Sequence, residues 1–140
     1  MAHYVRAFNT LYDEFINKLQ AILPPSTKIS KYDTLRKVLQ KANSRGPMEL
    51  FLNSVHPYSS HIFNREEEFF LGNQDLTTNS VVNETFADQL GLKSYWNALS
   101  APEKDAIWQY MEGLLRVGYR VHGIKWTPQM ASRPFADIQG

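Results

Sequence analysis

Tyr4-Val-Arg-Ala-Phe8-Asn-Thr-Leu11-Tyr12-Asp-Glu-Phe15-Ile-Asn-Lys-Leu19-Gln-Ala-Ile22 decides the fold class. Its large apolar residues recur at steps of three and four, which draws one stripe down a helix and has no strand-like alternation. Pro24-Pro25 follows, and proline both removes a backbone donor and pushes the preceding residue out of the helical region, so the helix ends there. The same period returns at Ile107, Tyr110, Met111, Leu114 and Leu115, with Trp108 on the flank. That second long helix opens on Ser100-Ala-Pro-Glu103, a hydroxyl cap, a first-turn proline and a glutamate three residues on, which together form a capping box. Helix is expected to about Val121, although Val117-Gly-Tyr-Arg-Val121 also alternates like a short strand.

Between these two lie shorter amphipathic runs. Ser30-Lys-Tyr-Asp33 reads as a capped start for a helix whose inner face is Tyr32, Leu35, Val38, Leu39 and Ala42. Gly46 stops it, and Pro47 suits the first turn of the next helix, with Met48, Phe51, Leu52 and Val55 inward. His56-Pro-Tyr predicts a turn into a short helix that continues through Arg65-Glu-Glu-Glu, with the acidic run outward and Phe69-Phe70 inward. Residues 72–79 read as a loop, and a short helix from Val82 to Leu90 closes at Gly91. Tyr95, Trp96 and Leu99 should pack on the first turns of the last long helix. The expectation is an all-α protein: a single compact bundle of five to seven helices over residues 1–122, and an extended C-terminal arm over 123–140. In that arm Pro128 and Pro134 disfavour continuous helix, while Ile124, Trp126, Met130, Phe135 and Ile138 are too apolar for a solvated tail.

The chain has 140 residues, 43% of them hydrophobic, and no cysteine. That size suits one domain, which buries roughly 70% of its unfolded surface and needs no staple. The missing thiols remove disulfides, thiol nucleophiles and cysteine-ligated metal sites. No apolar run approaches the roughly 18 residues of a membrane span, and residues 1–6 lack the pattern of a secretory signal, so an intracellular soluble protein is expected. Charge is segregated. Residues 1–46 hold eight Lys/Arg against three Asp/Glu, residues 47–112 hold three against ten, and residues 113–140 hold four against one. Blocks of that kind attract each other within a fold, or attract complementary blocks on a neighbour.

Phosphate-cradling glycine loops, dinucleotide fingerprints, His-Glu-x-x-His and G-x-S-x-G are all absent from the sequence. One residual acid/base candidate remains: His61 and Glu68, whose seven-residue step puts them on one helix face, joined by Glu67. The alternative is a solvated acidic face beside a surface histidine. Lys37, Lys41 and Arg45 recur every four residues and, joined by Arg36, draw a basic stripe. Such a stripe can track phosphates, supply rim charge to a protein partner, or simply be solvated. The arm offers anchors at Trp126, Met130, Phe135 and Ile138, either for a partner's groove or for the chain's own body. Glu66, Glu67 and Glu68 would provide acidic rim charge, which orients a partner more than it binds it. No cofactor or metal is expected.

Phe8-Asn-Thr-Leu-Tyr-Asp-Glu-Phe15, Leu23-Pro24, Val55-His-Pro-Tyr58, Ile62, Glu67-Glu-Phe-Phe70, Trp96, Leu99-Ser100, Lys104 and Ile107-Trp108-Gln-Tyr110 resemble the core pattern of small helical proteins of nucleocytoplasmic large DNA viruses. The resemblance spans most of the first 115 residues and leaves the arm outside. It implies a virion component, a minor capsid protein beneath the major shell, located in the virion and in the host cytoplasm during assembly. It transfers no catalytic or ligand residue. The expected function is therefore non-enzymatic and structural, exerted on the other protein chains of an assembly. The alternative is a small nucleic-acid-binding or regulatory viral protein that uses the basic stripe.

Overall fold

The computed structural model describes residues 2–23, 28–68, 92 and 95–138. Pro24-Pro25, Phe69-Phe70, the expected loop at 72–79 and the expected helix at 82–90 lie outside the described residues. The described elements are α1 (Ala2–Ile22), α2 (Ile29–Ala42), α3 (Gly46–Val55), a 3-10 turn (His56–Tyr58), α4 (Ser59–Phe63), a 3-10 turn (Trp96–Ala98), α5 (Ala101–Val121), a 3-10 turn (Pro128–Ser132) and α6 (Phe135–Ile138). The class is all-α, with no strand among the described residues.

α1 and α5 form the spine. Arg120 sits over the Tyr4 ring, Leu11 meets the α5 backbone at Gly113, and Phe15 stacks near Tyr110 with centroids 5.5 Å apart. Contacts that climb one helix while descending the other make the pair antiparallel. α3 lies across the spine. Phe51 packs edge-on against both Phe8 and Tyr12, each 5.7 Å away, a geometry that adds about 0.5–1.5 kcal/mol per pair beyond burial. Leu52 occupies the space beside Gly118, where an added Cβ would stand 2.9 Å from its methyl. Trp96 closes one end of the core against Trp108 at 5.5 Å. Both bonds of the Ser100–Glu103 capping box form, at 2.8 and 3.3 Å.

Three local expectations need correction. α2 starts at Ile29 after Lys28, which contributes no side-chain cap. Its inner face is Ile29, Tyr32, Asp33 and Arg36, while Leu35 and Val38 stay outside. α4 ends at Phe63, because Arg65 takes φ 53° and turns the chain. The amides of Arg65 and Glu66 bond back to the carbonyls of Ile62 and His61, the left-handed helix ending usually made by glycine. The segment after Gly123, left open by the sequence between a partner's groove and the chain's own body, takes the second course. It is a strap that returns over the His56–Tyr58 turn, α4 and α5 and buries Phe135 to 5% exposure beside His56, Tyr119 and His122. A phenylalanine in water forfeits about 1.5–3 kcal/mol that this seat recovers.

Candidate functional site

The rotated register of α2 creates the most distinctive surface in the molecule. Tyr12 and Tyr32 hydrogen-bond through their hydroxyls in the core. Arg36, 3% exposed, reaches Asp13 on α1 at 2.8 Å and Asp33 on its own helix at 2.7 Å, with its guanidinium 5.4 Å over the Tyr12 ring. A buried guanidinium is tolerated only with such company, so this network sets which way the helix faces. Turning a helix by one residue moves every side chain by about 100°. Leu35 and Val38 are thereby left 60% and 61% exposed.

The charges follow the same geometry. Partial burial tends to raise the Asp33 carboxyl, but hydrogen bonds from Arg36 and Lys37, and their charges, outweigh it and hold it below the usual carboxylate range. Burial opposes the Arg36 charge, and Asp33 and Asp13 overcome it, so its affinity for a proton rises. Burial drives the Tyr32 hydroxyl to about 12 and the Tyr12 hydroxyl well above 10.0, which keeps both neutral. Of the expected stripe, Lys37 pairs with Asp33 at 3.0 Å and Arg45 with Glu49 at 3.3 Å. Lys41 is exposed, as is Lys31 one turn before Leu35. Leu35 and Val38 therefore form an apolar island among lysines. The sequence reading missed it by placing both leucine and valine inside. The available signal was Asp33 one turn before Arg36 and Lys37, a spacing that lets one carboxylate draw an arginine inward.

The acidic run is largely occupied within the chain. Glu66 accepts a hydrogen bond from His61 Nδ1 at 2.9 Å, which holds its carboxyl below the ordinary range. Glu67 accepts from Trp96 Nε1 at 2.9 Å and pairs with Lys104 at 3.6 Å. Glu68 is exposed. The expected pairing of His61 with Glu68 on one helix face requires helix through Arg65, which the turn there replaces. Arg65 instead bonds Glu112 at 3.0 Å, and also Asp105, fastening the end of α4 to α5. Glu112 and then Asp105 hold the Arg65 proton more firmly than usual.

No protein family, curated protein or solved structure matches this chain. The viral resemblance thus rests on the core pattern read from the sequence.

The remaining expected anchors sit on the strap. His56, fully buried, is within 2.9 Å of the carbonyls of both Met130 and Arg133 and 2.6 Å from the Tyr119 hydroxyl. Carbonyls only accept, so Nε2 carries a proton and donates it to them. Burial drives that tyrosine to about 12. Trp126 Nε1 donates to Ser59 Oγ at 3.0 Å, and its ring leans on Phe63 with centroids 4.5 Å apart. Trp126, Met130 and Ile138 are half-buried, whereas Phe135 belongs to the core and has nothing left to offer a partner. Among the described residues, no bond joins the four anchors to the α2 lysines. Among the described residues, no group of three metal-ligating side chains occurs and no helix is long and apolar enough to cross a membrane.

Proposed function

We propose that the protein is a non-enzymatic interaction component of an assembly, docking through the outer face of α2 onto another protein chain that presents apolar side chains rimmed by carboxylates. The observation that carries this reading is the exposure of Leu35 and Val38, 60% and 61%, among Lys31, Lys37 and Lys41. Burying the two side chains under a partner is worth about 1.5–3 kcal/mol each. Lysines around such a core steer and orient more than they bind. Two copies pairing α2 to α2 would set lysines against lysines, which favours an acidic partner over a second copy. The viral resemblance supplies the assembly: a large DNA virus particle, with this chain as a minor component of the virion.

The phosphate-tracking alternative draws less support, since Arg36 faces the core and Lys37 and Arg45 are ion-paired. The test places a photo-crosslinking residue at Val38 in virus particles. Cross-linking to one particle protein, abolished by Leu35→Ser while thermal stability is kept, supports the docking. Three results would overturn it: absence of the chain from particles, cross-links only between copies of itself, or cross-linking indifferent to Leu35→Ser. Purified alone, the chain is expected to sediment as a monomer. A homo-oligomer dispersed by Leu35→Ser would make the occupant a second copy.

A further inference from the structure

A second feature, sharing no residue with α2, lies where the strap leaves α5. Gly123 takes φ +69° and sends two amides back into the helix end: its own to the carbonyl of Arg120, and that of Ile124 to the carbonyl of Tyr119. This reversal carries Ile124, Lys125 and Trp126 across the flank of α5 toward α4. A cleft of about 730 Å³ opens between them, walled by Phe63, Arg116, Arg120, Ile124, Lys125 and Trp126. That volume lies within the range of small-molecule sites, roughly 300–1,000 Å³.

Its chemistry is one-sided. Among the described residues, three cations line it and no carboxylate does. The Arg116 guanidinium rests over the Phe63 ring at 5.3 Å, and that of Arg120 over the Tyr4 ring at 5.7 Å. Among the described residues, none of Arg116, Arg120 and Lys125 has an ion-pair partner. Elsewhere Arg36, Lys37, Arg45, Arg65 and Lys104 pair with carboxylates. Aromatic seats hold a guanidinium in place and leave its charge unneutralised. The Trp126 ring is oriented by its bond to Ser59 and its lean on Phe63, and it stays half-exposed at the cleft.

We propose that this cleft binds a nucleoside phosphate unit, the base stacking on Trp126 and the phosphate held by Arg116, Arg120 and Lys125. An aromatic face beside unpaired cations on a rigid wall is what such a unit needs. Every base has a π-face, so stacking is sequence-tolerant, and phosphate attraction is sensitive to salt. The unit is either a free nucleotide or one residue of a single strand. Duplex DNA stacks its bases on each other and offers the cleft none.

The experiment titrates the full chain against four probes at low and moderate salt: a labelled oligothymidylate of about 12 nucleotides, the same oligomer annealed to its complement, AMP, and inorganic phosphate. Saturable binding of the oligomer or of AMP is expected, weaker at higher salt. The paired substitution Arg116→Gln and Arg120→Gln, on exposed side chains, should weaken it about tenfold or more. Trp126→Leu should weaken it about fivefold or more, and Lys37→Gln with Lys41→Gln should leave it unchanged. Binding of AMP that competes with the oligomer identifies a free-nucleotide site. Binding of the oligomer alone identifies a single-strand site. The proposal fails if neither probe binds at low salt, if inorganic phosphate binds as tightly as AMP, if duplex binds as tightly as single strand, or if the arginine pair can be replaced without loss. These readouts are independent of cross-linking at Val38, so this site and the α2 docking surface stand or fall separately.

Discussion

Arg36 shows how one side chain overrides a pattern. An isolated buried guanidinium costs several kcal/mol, and it stays inside here because two carboxylates and an aromatic face receive it. Arg36→Met is expected to lower the unfolding free energy by about 3 kcal/mol, at the lower end for a broken buried pair, since Asp33 retains Lys37. Denaturant titration measures this. Adding Asp33→Leu to that variant should recover part of the loss, because a largely buried carboxylate left with Lys37 alone goes with it. A neutral Arg36→Met would mean that the network does not orient α2. Arg65 makes the complementary point. A left-handed residue other than glycine costs roughly 1–2 kcal/mol, and its bonds to Glu112 and Asp105 offset that cost while tying α4 to α5. The role of Arg65 is not legible from residue type, because Glu112 and Asp105 lie on another helix; for Arg36 the spacing to Asp33 is local, but Asp13 is brought close by α1.

At the scale of elements, the strap carries the clearest prediction. It is held by one buried imidazole bonding two of its carbonyls, one indole bonding Ser59, and one phenyl ring in the core. Phe135→Ala should therefore cost about 3–5 kcal/mol, read by thermal or denaturant unfolding of the full chain. An unchanged midpoint would mean the strap is not docked. Gly123→Ala should cost about 1–2 kcal/mol, although nothing crowds the position, because the penalty is the backbone's alone. The helices themselves were legible where period and caps agreed: α1, the capping box of α5 and the proline at the start of α3 all form as read. α4 was not, since a chain that could continue as helix through Arg65 is turned by bonds to α5.

For the whole molecule, the buried tyrosines and the Asp33 carboxylate set opposite edges of a stability window. Tyr32 and Tyr119 titrate near 12 in the folded chain and near 10 when unfolded. Below pH 10 both states are neutral; above it the unfolded chain ionises first, so stability falls. Each tyrosine then contributes a slope of about 1.4 kcal/mol per pH unit until its folded value is passed. Asp33 is shifted the other way, so its contribution is complete above about pH 4 and disappears as pH falls through its lower folded value. Denaturant midpoints across pH should be flat near neutrality and drop from about pH 10. A midpoint still flat at pH 11 would count against the burial of these hydroxyls. By itself the sequence determined the helical class, the two long amphipathic helices and the capping box of the second, because period and capping are local properties of a chain. Tertiary structure alone decided which face of α2 turns inward, where the strap lies, and which arginines keep their charge unpaired. Those outcomes depend on partners distant in sequence, whose competition for the same side chain no local pattern records.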